Sequence, residues 1–493
     1  MNIESIEIKN LLGGKKFKID LNLKDRISII HGPNGCGKTT ILKIINYLFN
    51  FNFFGLSIIG FESVKVIFTN QSFLEAKSSE EITTANENGA ENPSLKCVKI
   101  VLTNSNNQSN IYSNESDLKR LCDLLIDNLF NFSRSDSNTF IDNDTQIIYS
   151  SLDFIKHFNN HFIVRDFIKR KKHLTSDFIF PNKIKVDSID TQRLLIDAED
   201  TDAPSFITQP AKGQRNVFFR SRSNPITESS VNVLARKLKK QLGSVLTAYA
   251  NEAQAIDQAF TEKYFIKKKE LGDSNLNSSE SKLYHKELII KFTNMVAHQK
   301  ALAELGIISE YSFQKPPEID QIADIIVLTI YIEGMLKKQE KFGDLFEKSN
   351  RFLFALNSLL KDKAVSLSHT DGIEVKLKKN NSIKLPLTSL SSGEQHLLVL
   401  FYELTFSLKT NEPQLFIIDE PEISLHASWQ RVLLDLLIKS TDTNCYILIA
   451  THSPLIVGTR IDNLTDGFKN ENENENENED EDEDEDEDEE DSE

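Results

Sequence analysis

A short apolar run, a glycine-rich loop and a helix follow one another at residues 27–48, and this stretch limits the fold more than any other. Ile27, Ile29 and Ile30 lead into Gly32-Pro33-Asn34-Gly35-Cys36-Gly37-Lys38-Thr39, and Ile41, Leu42, Ile44, Ile45 and Leu48 then have helical spacing. A loop of this kind belongs at the C-terminal edge of a parallel sheet, with its helix on one face. One strand is not a sheet. The other apolar runs suited to parallel pairing lie at 414–418 and 445–450, roughly 380 residues further on. The two ends of the chain must therefore fold against each other.

Each run carries chemistry at its end. In the loop, glycines let backbone N–H groups converge on phosphate oxygens, and the following helix adds the positive end of its dipole. Gly32, Pro33, Asn34, Gly35, Cys36, Gly37, Lys38, Thr39 and Thr40 are the phosphate-binding candidates. Lys38 would reach the β- and γ-phosphates of ATP, and the Thr39 hydroxyl would bind Mg²⁺. Leu415 to Ile418 runs into Asp419-Glu420-Pro421-Glu422. Asp419 is the second candidate Mg²⁺ ligand, and Glu420 the group that polarises an attacking water. His452, in Thr451-His452-Ser453-Pro454, follows the last apolar run and is a candidate γ-phosphate contact. Leu390-Ser391-Ser392-Gly393-Glu394-Gln395 opens a helix. It reads as a capping box from Ser391 to Glu394 and also as an anion site at a helix start. Both can hold. Ser391, Ser392, Gly393 and Glu394 are nucleotide-binding candidates through ATP held on another protomer. Gln192 is a candidate for sensing Mg²⁺ and water, with Arg193 an equal competitor for phosphate or DNA.

Between the ends, strands are expected at 2–9, 17–31, 62–69, 97–103 and 183–189, a polar loop over 78–94, and helices at 118–131 and 151–170. Residues 229–361 are mainly helical by spacing, with Pro316-Pro317 marking one helix start. They lack sustained heptads, so a short arm is expected rather than a long coiled coil. Strands return at 364–388, where Ile373, Val375 and Leu377 alternate. The reading is an α/β fold divided as 1–196, first part of the head; 197–361, helical insertion; 362–466, second part of the head; and 467–493, a disordered acidic tail.

The net charge of −17 is a property of that tail. Residues 471–493 hold 18 Asp or Glu and no Lys or Arg, which leaves 57 basic against 56 acidic residues elsewhere. The four cysteines form no CxxC pair, so neither a zinc site nor a disulfide framework is indicated. There is no signal-peptide pattern and no apolar run near the roughly 18 residues a membrane helix needs, so a cytoplasmic protein without a membrane span is expected. Basic clusters at Lys169 to His173, Arg236 to Lys240 and Lys267 to Lys269, with Arg215, Arg220 and Arg222, are candidates for sequence-independent DNA contact. Solvated helix faces explain them equally.

These motifs resemble those of ABC-type ATPases of the SMC and RecF kind. Leu390 to Gln395 is similar to their signature, Asp419 to His426 to their Walker B and D-loop, and Thr451-His452-Ser453 to their switch histidine. The resemblance implies two ATP molecules held between two heads, with Ser391, Ser392 and Gly393 acting in trans. The segments Ile189 to Leu195 and Ala253 to Tyr264 also look like the ATPase subunits of bacterial anti-phage systems, the AriA subunits of PARIS and then the PtuA subunits of Septu. That likeness implies a homo-oligomer, at least a dimer and expected to be higher, that is a sensor and scaffold controlling a partner effector nuclease encoded nearby. A DNA-repair or maintenance ATPase, and a nucleotide-dependent scaffold with little turnover, remain open as alternatives.

Overall fold

The computed structural model describes residues 2–11, 14–50, 52–80, 96–103, 109–113, 115–129, 131–136, 139–158, 161, 163–164, 166–167, 170, 184–190, 195–197, 227–272, 278–309, 321–407, 413–458 and 460. The expected acidic tail, Gln192 and Arg193, and the basic residues at 171–173, 215, 220 and 222 lie outside them.

The chain opens with β1 (Ile3–Leu11) and β2 (Lys15–Asp20), then β3 (Ile27–His31), α1 (Lys38–Phe49), α2 (Phe53–Ile58) and β4 (Ser63–Phe68). β5 (Phe73–Glu80), β6 (Lys96–Thr103) and β7 (Ser109–Ser113) follow. Six of these strands form a sheet ordered β2-β1-β4-β5-β6-β7, antiparallel throughout. Two of its strands were not expected. β5 sets only Leu74 and Ala76 into the core, too short an apolar pattern to stand out, and β7 is a polar strand on the edge. β5 runs to Glu80, so the first residues of the expected polar loop are strand instead.

Next come α3 (Glu115–Asn128), β8 (Phe132–Asp136), β9 (Thr139–Asp142), β10 (Ile148–Ser150) and α4 (Ser151–His157). Their apolar faces make a separate cluster around Leu121, Leu125, Phe140 and Phe154, in which the Phe140 and Phe154 rings stack at 4.4 Å. The single helix expected over 151–170 is divided in two by a turn, with helix again at residues 163–164, 166–167 and 170 among those described. α4 ends at His157, and the His161 N–H closes a turn onto the Phe158 carbonyl at 2.8 Å.

β11 (Lys185–Asp190) precedes a small ladder of β12 (Leu195–Asp197) and β13 (Thr227–Ser229). The helices α5 (Ser230–Gly272), α6 (Ser278–Glu304), α7 (Ile322–Glu340) and α8 (Gly343–Leu359) then fill most of 230–359. α7 starts at Ile322, where Gln321 and Asp324 form a capping box, later than the proline pair suggested. Far along α5, Ile256 lies against Gly334 of α7, and α6 and α7 share a cluster of Leu288, Phe292, Met295, Ile325 and Leu328. The start of α5 is different. Val231, Leu234, Leu238 and Leu242 belong to the same core as Phe352 and Leu356 of α8. The remaining elements are β14 (Lys363–Ser368), β15 (Gly372–Leu377), β16 (Asn380–Leu385), α9 (Ser392–Phe406), β17 (Gln414–Asp419), α10 (Ala427–Ser440), β18 (Cys445–Thr451) and α11 (Pro454–Val457).

The central sheet is β11-β17-β18-β3, parallel at every pairing. Side chains alternate faces along a strand, and here both faces are covered. Phe416, Ile418, Ile447 and Ile449 enter one core with α8, α9 and α10, while Leu415, Ile417, Leu448 and Ala450 enter the other with α1 and the antiparallel sheet. That is why β17 and β18 read as unbroken apolar runs. Each fully buried Ile or Leu contributes roughly 1.5–3 kcal/mol, and α1 alone buries Ile41, Leu42, Ile44, Ile45 and Leu48. The fold is an α/β head of the ABC type, carrying a mainly helical insertion between β13 and β14.

Candidate functional site

The register of the central sheet places the site. His31, at the end of β3, pairs with Thr451 of β18; Ala450 pairs with Asp419 of β17; and Asp419 pairs with Asp190 of β11. All four strands end together, so the glycine loop, Glu420 and His452 leave from one edge, where parallel sheets bind ligands. β11 delivers the chain to that edge beside Asp419, two residues before Gln192.

In the loop, Gly35 and Gly37 have φ of 83° and 107°, left-handed conformations that other residues adopt at a cost. Gly37 is the N-cap of α1 and offers no side chain to the first-turn amides, which leaves them for an anion. Lys38 is only 5% exposed. Its ammonium donates to the carbonyls of Gly32 at 2.7 Å and Pro33 at 2.9 Å, so the buried charge is held by the loop it serves. Thr39 and Thr40 follow on the first turn, half-buried.

Glu420 has φ of 47° and precedes Pro421. Both facts oppose its conformation: a left-handed non-glycine residue costs about 1–3 kcal/mol, and a following proline favours extended backbone. The Glu420 N–H donates to the Ala450 carbonyl at 2.8 Å, which pins the turn to β18.

Sequence reasoning missed Glu422. It is 7% exposed, and its Oε1 accepts from the Thr451 hydroxyl at 2.7 Å and the His452 N–H at 2.8 Å, with His452 Nδ1 at 2.9 Å. The only signal was a second glutamate after the Asp-Glu pair. Gln430 of α10 adds a neighbouring tie, accepting from the Ser453 hydroxyl at 2.7 Å. The His452 side chain stays 45% exposed.

Ser391 caps α9 and forms the capping box with Glu394. The Glu394 carboxylate also accepts from Lys363 at 2.6 and 2.7 Å. Burial pushes the Glu394 carboxyl up, but Lys363 and Ser391 outweigh it and hold it below its ordinary range. Glu394 thus braces the start of the helix, while Ser391 and Ser392 are exposed. Gly393 is there for space: a Cβ would meet the Ser424 carbonyl oxygen at 2.3 Å. One turn on, buried His396 places Nδ1 2.9 Å from the Ile423 carbonyl, and burial lowers its pKa despite that contact. The sheet edge therefore gathers the glycine loop, Asp419, Glu420 and His452. The signature residues stand beside the 423–424 turn of the same chain, and among the described residues no hydrogen bond or ion pair joins 391–394 to the loop.

Hard oxygen donors, the Thr39 hydroxyl and the Asp419 carboxylate, suit Mg²⁺ completed by phosphate oxygens.

A parallel sheet with a glycine loop entering a helix, and an acidic pair and a histidine at neighbouring strand ends, defines a P-loop ATPase of the ABC type. The family model described as an AAA ATPase domain matches residues 1–457, and the chain belongs to that family. Among solved structures, an SMC head bound to the C-terminal winged-helix domain of ScpA is 12% identical, with 92% of this chain and 91% of that one covered at a TM-score of 0.32. The SMC head domain from Thermotoga maritima is 10% identical, with 93% and 91% covered at 0.26. No curated protein matches the sequence. Among the described residues no helix is long and apolar enough to cross a membrane.

Proposed function

We propose that this protein hydrolyses ATP to ADP and phosphate with Mg²⁺, working as an assembly of at least two copies. The observation that carries the reading is the shared edge of β3, β17 and β18, from which the Lys38 loop, Asp419-Glu420 and His452 all depart. Lys38 exchanges the Gly32 and Pro33 carbonyls for β- and γ-phosphate oxygens, joined by first-turn amides of α1. Mg²⁺ held by Thr39 and Asp419 supplies charge neutralisation on the phosphates. Glu420 orients a water against the γ-phosphorus. The water oxygen bonds to phosphorus, the bond to the bridging oxygen breaks, and the proton is taken up at the Glu420 carboxylate before passing to solvent. His452 contacts the γ-phosphate. Exposed Ser391 and Ser392, with Gly393, close over ATP on a second copy.

At the next level we propose a homo-oligomeric sensor and scaffold whose ATP state controls a partner effector nuclease in anti-phage defence. Its support is the resemblance of residues 189–195 and 253–264 to ATPase subunits of such systems. A RecF-like role on DNA is favoured by one observation, the exposed Lys237, Lys239 and Lys240 of α5. Binding to DNA that weakens steeply with salt supports that role, and no retention at low salt removes it.

The test of the main reading is the native mass of Glu420→Gln with and without Mg-ATP, alone and copurified with the product of the neighbouring gene. A mass that at least doubles with ATP supports assembly around nucleotide. An unchanged mass overturns it, and a neighbour that is not a nuclease overturns the effector role.

A further inference from the structure

Glu422 has no place in the hydrolysis just described, yet it is the most deeply committed acid near the site. Its Oε1 collects the Thr451 hydroxyl, the His452 backbone N–H and the His452 ring at Nδ1, within 2.7–2.9 Å. Its other oxygen, Oε2, is buried with no hydrogen-bond partner among the described residues. A buried carboxylate with an unused oxygen is a poor device for stability, because burying the charge costs more than such bonds return. A glutamine of the same shape would serve the hydroxyl and the amide through its carbonyl. The ring contact is what sets the carboxylate apart. Which nitrogen of a histidine carries the proton is decided by the bond the other nitrogen makes.

We infer that Glu422 is a positioning residue for His452: its carboxylate claims the Nδ1–H, fixes the ring plane, and leaves Nε2 as the nitrogen offered to the nucleotide. The inference rests on the ATPase reading above and deepens it. Backbone and side chain of His452 are gripped by one oxygen, so the ring turns with the strand end. Thr451, 0% exposed at the end of β18, ties the same oxygen to the sheet. A shift of the 420–424 turn would therefore carry the histidine with it.

The experiment is a double-mutant cycle on the full chain with Glu422→Gln, His452→Ala and both together, measuring ATP affinity, kcat and Tm. Glu422→Gln is expected to lower kcat by about tenfold or more, as loss of the carboxylate behind a working imidazole does elsewhere, with a smaller change in ATP affinity. In the His452→Ala background the same change is expected to add nothing, because the two act as one unit. Equal losses in both backgrounds, or an unchanged kcat, would overturn the role. If His452→Ala itself turns over at the wild-type rate, the placement of His452 at the nucleotide fails instead, and the two failures are thereby separated. A second measurement needs no folded variant of Glu422: long-range ¹⁵N–¹H spectra of histidine-labelled wild-type protein, assigned by His452→Ala. A proton on Nδ1 supports the inference, and a neutral ring protonated only on Nε2 refutes it.

Discussion

The amide of Glu420 donates to the carbonyl of Ala450 across the end of the parallel sheet, at 2.8 Å, and holds Glu420 in a left-handed conformation that its side chain does not favour. β17 ends at Asp419, and the left-handed residue turns the chain out of the strand. Glu420→Gln keeps the shape and the backbone bond. It is expected to leave Tm and ATP affinity as they are while lowering kcat by about 10²–10⁴-fold, the range of a lost general base. Single-turnover hydrolysis with equilibrium ATP binding measures both, and turnover at the wild-type rate would remove Glu420 from the mechanism.

Lys38→Ala deletes a buried ammonium whose present partners are loop carbonyls. Charge-assisted hydrogen bonds contribute about 1.5–3 kcal/mol each, so two lost to phosphate weaken ATP binding by roughly 10²–10⁴-fold. Calorimetric titration reads this directly. Far-ultraviolet circular dichroism is expected to be unchanged, since α1 keeps its buried apolar face.

Gly393 and Ser392 are adjacent and separate packing from contact with a partner copy. Gly393→Ala forces a Cβ onto the Ser424 carbonyl and is expected to cost about 1–3 kcal/mol, the usual range for overpacking, seen as a lower Tm. Ser392→Ala changes an exposed side chain, so its Tm should move by no more than about 0.5 kcal/mol equivalent, while ATP-driven association weakens. Equal Tm losses in the two variants would contradict this division.

His396 predicts a pH dependence. Burial lowers its folded pKa below the ordinary value of 6.5, so between 6.5 and that lower value the unfolded chain binds a proton that the folded chain does not. Stability therefore rises with pH across that window and is lost as pH falls through it. His396→Gln has no group to titrate and can still donate to the Ile423 carbonyl. Denaturant midpoints from pH 7 to 5 should fall more steeply for wild type than for this variant, and parallel curves would rule the effect out.

Read as sequence, residues 27–48 declare strand, loop and helix because each uses local rules: an apolar run, glycines where φ must be positive, and a 3.6-residue period. The runs before Asp419 and His452 declare buried parallel strands for the same reason, and from them the α/β class and the candidate residues at the strand ends are legible. β5 was not, because Leu74 and Ala76 are too few buried residues to show a period, and β7, at the sheet edge, is a five-residue run of mostly polar residues.

Other relationships depended on register. Whether Thr451 meets His31, whether Glu422 reaches His452 or water, and whether Gly393 meets Ser424 depend on how segments tens to hundreds of residues apart align, and a one-residue slip in a strand turns every side chain to the other face. The opening of α5 likewise joins the core of α8 and α9 because of where β14–β16 stand. Composition and periodicity set which faces are buried; only the packed strands decided which polar atoms met at their ends, because hydrogen bonds need alignment within a few tenths of an ångström and apolar burial does not.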